Sequence, residues 1–344
     1  MPVIVVIGGQ WGDEGKGRMV DLLARNASVV ARYSAGNNAG HTVVTDRGIF
    51  RLHLVPAGIF YPDKVCLIGN GVVIDPSILL EEIESLESNG VSTKALFVSD
   101  RAQIIMPYHL LIDRLDEELR GPAAIGTTLR GVGPAFADKV GRVGIRMADL
   151  IRPQVFRERL SLILPYKNAF LTKLYESEPL DFNEVLETYS AFGRRLAPFV
   201  RDTMAMTHEA LDKGETVLLE GAQGSLLDLD AGTYEYVTSS VPSSTAAGAG
   251  VGMGLGPTAI ACATWPAASV ATAGGQTRFT KPPARPPVQR NARRSLPDFA
   301  RPRLHTNSAA HRDRSPRLLA NGSYRLPTGI GEIAMDGAFR MEHR

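Results

Sequence analysis

The sequence predicts an α/β fold: a mostly parallel central sheet flanked by helices, with a P-loop-like nucleotide-binding core and an irregular or disordered C-terminal tail. Three observations carry that prediction. Short β-branched runs alternate with helical patterns through the first 258 residues, the signature of parallel strands joined by crossover helices. Glycine-rich segments recur at the ends of the apolar runs, where open parallel sheets bind their ligands. Composition is globular, 44% hydrophobic and 22% charged over 344 residues, enough chain to bury a large core.

The first strand is expected at Val3–Ile7, and Met19–Leu23 gives the apolar face of the following helix. Further strands are expected at Val29–Tyr33, Val65–Ile68, Leu96–Val98 and Thr216–Leu219. Asp75-Pro76 joins an N-cap carboxylate to proline at the first helical position, opening a helix that runs to about Glu87 and stops at Asn89-Gly90. Pro107–Leu119 and Pro153–Tyr175 read as helices, and one long helix is expected from Phe182 to Lys213, stopped by Gly214. Ser34–Gly40, Gly121–Gly133 and Gly221–Gly256 are too glycine-rich for regular elements and are expected as functional loops.

Beyond Ile260 the periodicity fades, so the expected division is an α/β domain over 1–260 and a tail over 261–344. Pro-Pro-Ala-Arg-Pro-Pro at 282–287 breaks any helix or central strand, and Thr277–Arg325 has the composition of disordered sequence. Between Arg278 and Arg325 eleven arginines and Lys281 face only Asp298 and Asp313, so a chain of net charge +2 holds a strongly basic stretch and a net acidic remainder. A basic tail attracts nucleic acid electrostatically, but no aromatic platform or recognised module accompanies it, and nucleic acid is not an expected partner. Cys66 and Cys262 are the only cysteines, which excludes a disulfide framework and fits a reducing compartment. No basic leader precedes the first strand and no run approaches the length of a membrane helix. A cytoplasmic protein without membrane association is expected.

The chemistry concentrates in Gly9–Gly17, Gly-Gln-Trp-Gly-Asp-Glu-Gly-Lys-Gly, between the first strand and the first helix. Small residues let amides approach an anion, and a helix N-terminus adds a favourable dipole. This is not the common P-loop: Gln10 and Gly17 stand where that pattern has glycine and a Mg2+-binding hydroxyl. A carboxylate, Asp13, lies inside the loop instead, pointing to metal binding, proton abstraction, or both. Ser34–Thr42 supplies a second loop, with His41 placed as proton donor or transition-state stabiliser. Gly126–Pro134 offers hydroxyls, amides and Arg130, a composition that suits a second anion. Glu220-Gly-Ala-Gln-Gly224 follows another strand, and Gln223 reads either as an amide that matches a ring edge or as part of a helix-start turn. His53, His109 and His208 fall in ordinary strand or helix patterns and read as structural or solvent-facing. With no zinc spacing and no nucleophile elbow, phosphoryl chemistry remains.

In order along the chain, Gln10–Gly17, Asn38–Thr42, Ile68–Val73, Ile125–Thr128 with Arg130-Gly131, Gly144–Arg146, Glu220–Gly224, Tyr236–Ser240 and Gly254–Thr258 resemble the motifs of the adenylosuccinate synthetase family. The resemblance covers residues 1 to about 260 and implies GTP-dependent ligation of IMP and L-aspartate, with Mg2+, in a homodimer. It implies catalytic roles for Asp13 as base on IMP, His41 as general acid, Lys16 and Gln223. GTP contacts are implied at Gly12, Asp13, Glu14, Gly15, Lys16, Gly17, Arg18, Gly40, His41 and Thr42. IMP contacts are implied at Asp13, Glu14, Gly15, Lys16, Asn38, Ala39, Gly40, His41, Thr128, Gln223 and Thr238, with Arg142 reaching the partner subunit's site. Asp13 and the Gly40 carbonyl would hold the metal. Arg18, Glu235 and Val241 replace the family's usual lysine, proline and asparagine. The family's aspartate-binding loop, its threonine- and arginine-rich segment and its guanine-reading Thr-Lys-x-Asp motif have no counterpart in this sequence. A shift of reading frame near residues 258–265 is the expected origin of the tail, and a catalytically impaired IMP- or phosphate-binding remnant is the alternative to an active ligase.

Overall fold

The computed structural model describes residues 3–45, 48–254, 259–264, 317–318 and 324–325. The chain divides into two compact units, Met1–Arg278 and Phe279–Arg344. In the second, the described residues are the antiparallel pair Arg317–Leu318 with Tyr324–Arg325. The expected disorder and frame shift of the tail fall almost entirely on residues outside those described.

The first unit is built on a seven-stranded sheet. Its strands are β1 (Val3–Gly8), β2 (Val29–Arg32), β5 (Val65–Ile68), β7 (Leu96–Ser99), β9 (Val200–Arg201), β10 (Val217–Gly224) and β11 (Ile260–Thr264), in the order β11-β1-β10-β2-β5-β7-β9. Every neighbouring pair is parallel. Strand alternation divides the core in two. Val6, Val30, Cys66, Ile68, Val98 and Leu218 pack in the larger cluster, and Val3, Val5, Val29, Ala31, Leu67 and Leu219 in the other. Both faces of the central strands are thus covered, as their near-continuous apolar runs require, whereas most of the edge strand β11 is exposed.

Helices α1 (Lys16–Ala24), α2 (Pro76–Ser88), α6 (Pro153–Lys173) and α7 (Phe182–Leu196) contribute to the larger cluster, while α8 (Thr203–Asp212) and α9 (Ala247–Val251) contribute to the smaller. Asp75 caps α2 as expected, accepting the Ser77 N–H at 3.0 Å with Pro76 behind it. Such a cap is worth about 1 kcal/mol. Helices α3 (Pro107–Arg120), α4 (Val132–Gly141) and α6 meet at a buried polar cluster. There His109 Nε2 donates to Asp138 at 2.9 Å, and Lys167 Nζ donates to the other Asp138 oxygen at 2.5 Å. His109 Nδ1 accepts the Met106 N–H at 2.9 Å, so this histidine is structural, as its helical context suggested.

Four expectations are corrected. The long helix from Phe182 to Lys213 is two helices, α7 and α8, with the edge strand β9 between them. Pro198 cannot continue the ladder, and Asp202 starts α8 by accepting the Ala205 N–H at 3.0 Å. Gly221–Gly256 is not wholly irregular, because Gly221–Gly224 continue β10 and α9 lies within it. A hairpin of β3 (His41–Thr45) and β4 (Gly48–Leu52) forms where no strand was expected. Finally, β11 runs across the expected boundary at 260/261 and pairs with β1 from Ile4↔Ile260 to Gly8↔Thr264. Its Ile-Ala-Cys-Ala-Thr sequence is too small-sided to give a clear strand pattern.

Candidate active site

Strand β1 delivers the first glycine-rich loop to the carboxyl end of the sheet. Gly15 adopts a left-handed conformation (φ 80°) as the N-cap of α1 and makes no side-chain cap bond, leaving the first helical turn open to an anion. The loop is shaped from inside by Glu14. Its buried carboxylate accepts the Gln10 and Gly12 N–H groups at 2.9 and 2.8 Å, and its second oxygen has no hydrogen-bond partner. Gly12 (φ 106°) packs on the backbone of Gln223, where a Cβ would lie 2.6 Å from Gln223 Cα. Lys16 is buried, donates to the Gly12 carbonyl at 2.7 Å and lies 4.0 Å from Glu14 Oε2. Burial pulls its pKa down, with Glu14 acting in the opposite sense. Asp13, by contrast, is exposed, and no described group donates to its carboxylate.

A pair of charges that the sequence reading did not single out forms the floor. Arg32 at the end of β2 and Glu220 in β10 are register partners on adjacent strands, both almost fully buried. Arg32 Nη1 lies 3.3 Å from Glu220 Oε1, and Glu220 Oε2 accepts the Ala57 N–H at 2.9 Å. His41 Nδ1 lies 3.6 Å from the same Glu220 oxygen, while its Nε2 is buried without a partner. Burial lowers the His41 pKa, against the pull of Glu220. The available signal was a lone charge inside each of two apolar runs, Val-Val-Ala-Arg and Val-Leu-Leu-Glu. Neither charge is tolerated there without the other.

Gln223 is the penultimate residue of β10, just before Gly224, which is the N-cap of a short 3-10 helix over Ser225–Leu227. Val6 pairs with Glu220 and Gly8 with Gly224, so β10 carries surplus residues and bulges, and Gln223 takes φ 61°. Its Oε1 accepts from Ser240 Oγ at 3.3 Å, and Ser240 is in turn 3.3 Å from Thr238 Oγ1.

These groups converge. One cleft, about 580 Å3, is lined by Gly12, Asp13, Gly15, Lys16, Gly17, Arg18, Asn38, Ala39, Gly40, His41, Thr42, Thr128 and Gln223, with Arg32 and Glu220 beneath. An adjoining pocket of about 330 Å3 shares Asn38, Thr128 and Gln223 and adds Thr127, Thr238 and Ser239. Both volumes are in the range of small-molecule sites. Of the residues expected at the site, Glu14 turns inward under the loop, and Arg142 lies at the exposed C-terminal cap of α4, outside both linings. Arg130, offered for a second anion, is exposed and also lies outside both linings, and the remaining expected residues lie on the two adjoining linings. Among the described residues no group of three or more His, Cys, Asp or Glu side chains could form a metal cage. Mg2+ needs none where one carboxylate acts with substrate phosphates, and an unpaired Asp13 on the same cleft as Gly40 fits that donor set.

No helix among the described residues is long and apolar enough to cross a membrane. The family model for adenylosuccinate synthetase matches residues 5–280. The chain is 53% identical over 260 residues to adenylosuccinate synthetase of Lactococcus lactis subsp. cremoris (strain MG1363), covering 76% of this chain and 60% of that protein. It is 51% identical over the same length to the enzyme of Exiguobacterium sibiricum, with the same coverage. The fully ligated adenylosuccinate synthetase of Plasmodium falciparum superposes with a TM-score of 0.70 at 32% identity, over 77% of this chain and 61% of that one. The chain thus spans about 60% of the length of the curated relatives it matches. By fold, by the ordered motifs and by the extent of these matches, the chain belongs to the adenylosuccinate synthetase family.

Proposed function

We propose that the cleft binds IMP beside GTP and serves the GTP-dependent ligation of IMP and L-aspartate to adenylosuccinate, in purine nucleotide synthesis. The observation that carries this reading is the meeting of Asp13, Lys16, Asn38, His41 and Gln223 on one cleft at the carboxyl ends of parallel strands. Asp13, exposed and unpaired, takes the N1 proton of IMP. The 6-oxygen then forms a bond to the γ-phosphorus of GTP as the bond to the β-phosphate oxygen breaks, releasing GDP. His41 presents its unpartnered Nε2 to the developing charge. Lys16 and the open first turn of α1 hold phosphate. The amine of aspartate attacks C6, the C6–O bond breaks, and phosphate leaves with the amine losing a proton. Gln223, held by Ser240, orients the purine edge. Asp13 and Gly40 would hold Mg2+, which when bound neutralises charge on the phosphates. Arg142 is assigned to the site of a partner subunit in a homodimer, in keeping with its exposed position at the end of α4.

A second reading is favoured by one observation, the coverage of only about 60% of each relative: a nucleotide-binding chain that holds IMP or phosphate without completing the ligation. One experiment separates the two. The purified chain is incubated with IMP, GTP, aspartate and Mg2+, and adenylosuccinate is followed by absorbance beside calorimetric titration with IMP. Turnover that Asp13→Asn abolishes supports the ligase. IMP binding without turnover supports the second reading, and absence of both refutes the cleft assignment.

A further inference from the structure

Helix α3 carries two carboxylates one turn apart, Asp113 and Glu117, and both are committed to the same neighbouring segment, residues 125–131. Glu117 Oε1 accepts the Ile125 N–H at 3.1 Å, and its Oε2 accepts the Gly126 and Thr127 N–H groups at 2.6 and 3.2 Å. Asp113 accepts the Thr127 hydroxyl at 2.9 Å on one oxygen and the Gly131 N–H at 2.8 Å on the other. The i, i+4 spacing puts both acids on one helix face. The segment contains no helix or strand of its own between Ala123 and Val132, and it turns through positive φ at Gly126, Leu129 and Gly131. Its conformation is therefore set by the acceptors that α3 supplies.

The two acids work from different sides. Asp113 is buried and lines the pocket that adjoins the main cleft, whereas Glu117 does not line it. Desolvation raises the Glu117 carboxyl, yet three amide donors hold it below its usual range. Amides that a glycine-rich loop would otherwise offer to an anion are thus already engaged by Glu117. Thr128 lines both pockets, and its hydroxyl has no intramolecular partner among the described residues.

We infer that Asp113 and Glu117 are positioning residues for anion recognition: they clamp residues 125–131 onto α3 so that Thr128, rather than the amides of 125–127, meets the phosphate of a nucleoside monophosphate. The inference rests on the reading of this pocket as part of the IMP site. It extends that reading to Glu117, which lies outside the pocket lining, and to Asp113, which lines it but has both oxygens engaged by Thr127 and Gly131.

Glu117→Ala tests it, since alanine is the strongest helix former and leaves α3 intact. Without ligand, amide hydrogen exchange of the peptide spanning 125–131 is expected to quicken by about tenfold, the loss of hydrogen bonds to a charged acceptor. Exchange in α1 and β10 stays unchanged. Unchanged exchange at 125–131 overturns the clamp. In calorimetry, IMP is expected to bind about tenfold more weakly, inosine as before, and Glu117→Gln, which keeps one acceptor oxygen, to lie between. Equal weakening of IMP and inosine, or none for IMP, overturns the positioning role. If the unsubstituted chain binds neither, the pocket reading itself fails and the anion role falls with it, while hydrogen exchange still decides the clamp.

Discussion

Replacing Glu220 with leucine removes one partner of a buried ion pair and leaves the other in place. Arg32 is 2% exposed, so its guanidinium cannot turn to water when Oε1 at 3.3 Å is lost. An uncompensated buried charge of this kind costs about 3–5 kcal/mol. The Ala57 N–H, which donates to the other oxygen, loses its acceptor for about 1 kcal/mol more. Against a total stability of about 5–15 kcal/mol, Glu220→Leu should remove a large share. Arg32→Met should cost a similar amount by orphaning the carboxylate. The double variant removes both charges and should recover most of the loss, retaining chiefly the unpaired Ala57 amide. Urea unfolding followed by far-ultraviolet circular dichroism of the four proteins gives the cycle, with an expected coupling of about 3 kcal/mol. Single variants that each cost less than about 1 kcal/mol, or costs that simply add, would refute the argument that the pair is desolvated and interdependent.

Three further outcomes follow from the geometry. Gly224→Ala would put a Cβ 2.2 Å from the Gln10 carbonyl, so the first loop must shift; a stability loss of about 1–3 kcal/mol with weakened GTP binding is expected by calorimetry, and unaltered GTP affinity would count against the loop as the phosphate site. Lys16→Met removes the buried ammonium from the cleft and should weaken GTP binding by about a hundredfold; equal affinity in the variant would dismiss Lys16 as a phosphate ligand. Stability should also fall on acidification. Burial holds the folded-state pKa of His109 below its ordinary value, and protonating Nδ1 would break its bond from the Met106 N–H. The unfolded chain therefore binds more protons below about pH 6.5: this contribution is complete above that pH and is lost as pH drops towards the folded value. Asp138, raised by desolvation but lowered overall by His109 and Lys167, adds a loss of the same sign at lower pH. Urea midpoints measured from about pH 7.5 to about pH 5 should decline, and His109→Gln should flatten the histidine part; a midpoint that rises on acidification is the contrary result.

Local signals in the sequence determined much of this protein. The strands at 3–7, 29–33, 65–68, 96–98 and 216–219 were legible because each is an apolar run covered on both faces, and the α2 cap was legible because Asp-Pro has few other uses. The glycine-rich turn at 9–17 was legible as a strand-to-helix loop, and glycine with a single lysine there marked it as a candidate phosphate site. Tertiary structure decided what depends on distant partners. It joined Arg32 to Glu220 across adjacent strands 188 residues apart, added β11 beside β1, and bulged β10 to aim Gln223. It also turned Glu14 inward onto its own loop and set Asp113 and Glu117 behind residues 125–131. Each of these is a polar group or a small-sided strand whose preference alone is weak. Its place is fixed by the partner that desolvation obliges it to find, and that partner is chosen by sheet order and register, which no local run of residues encodes.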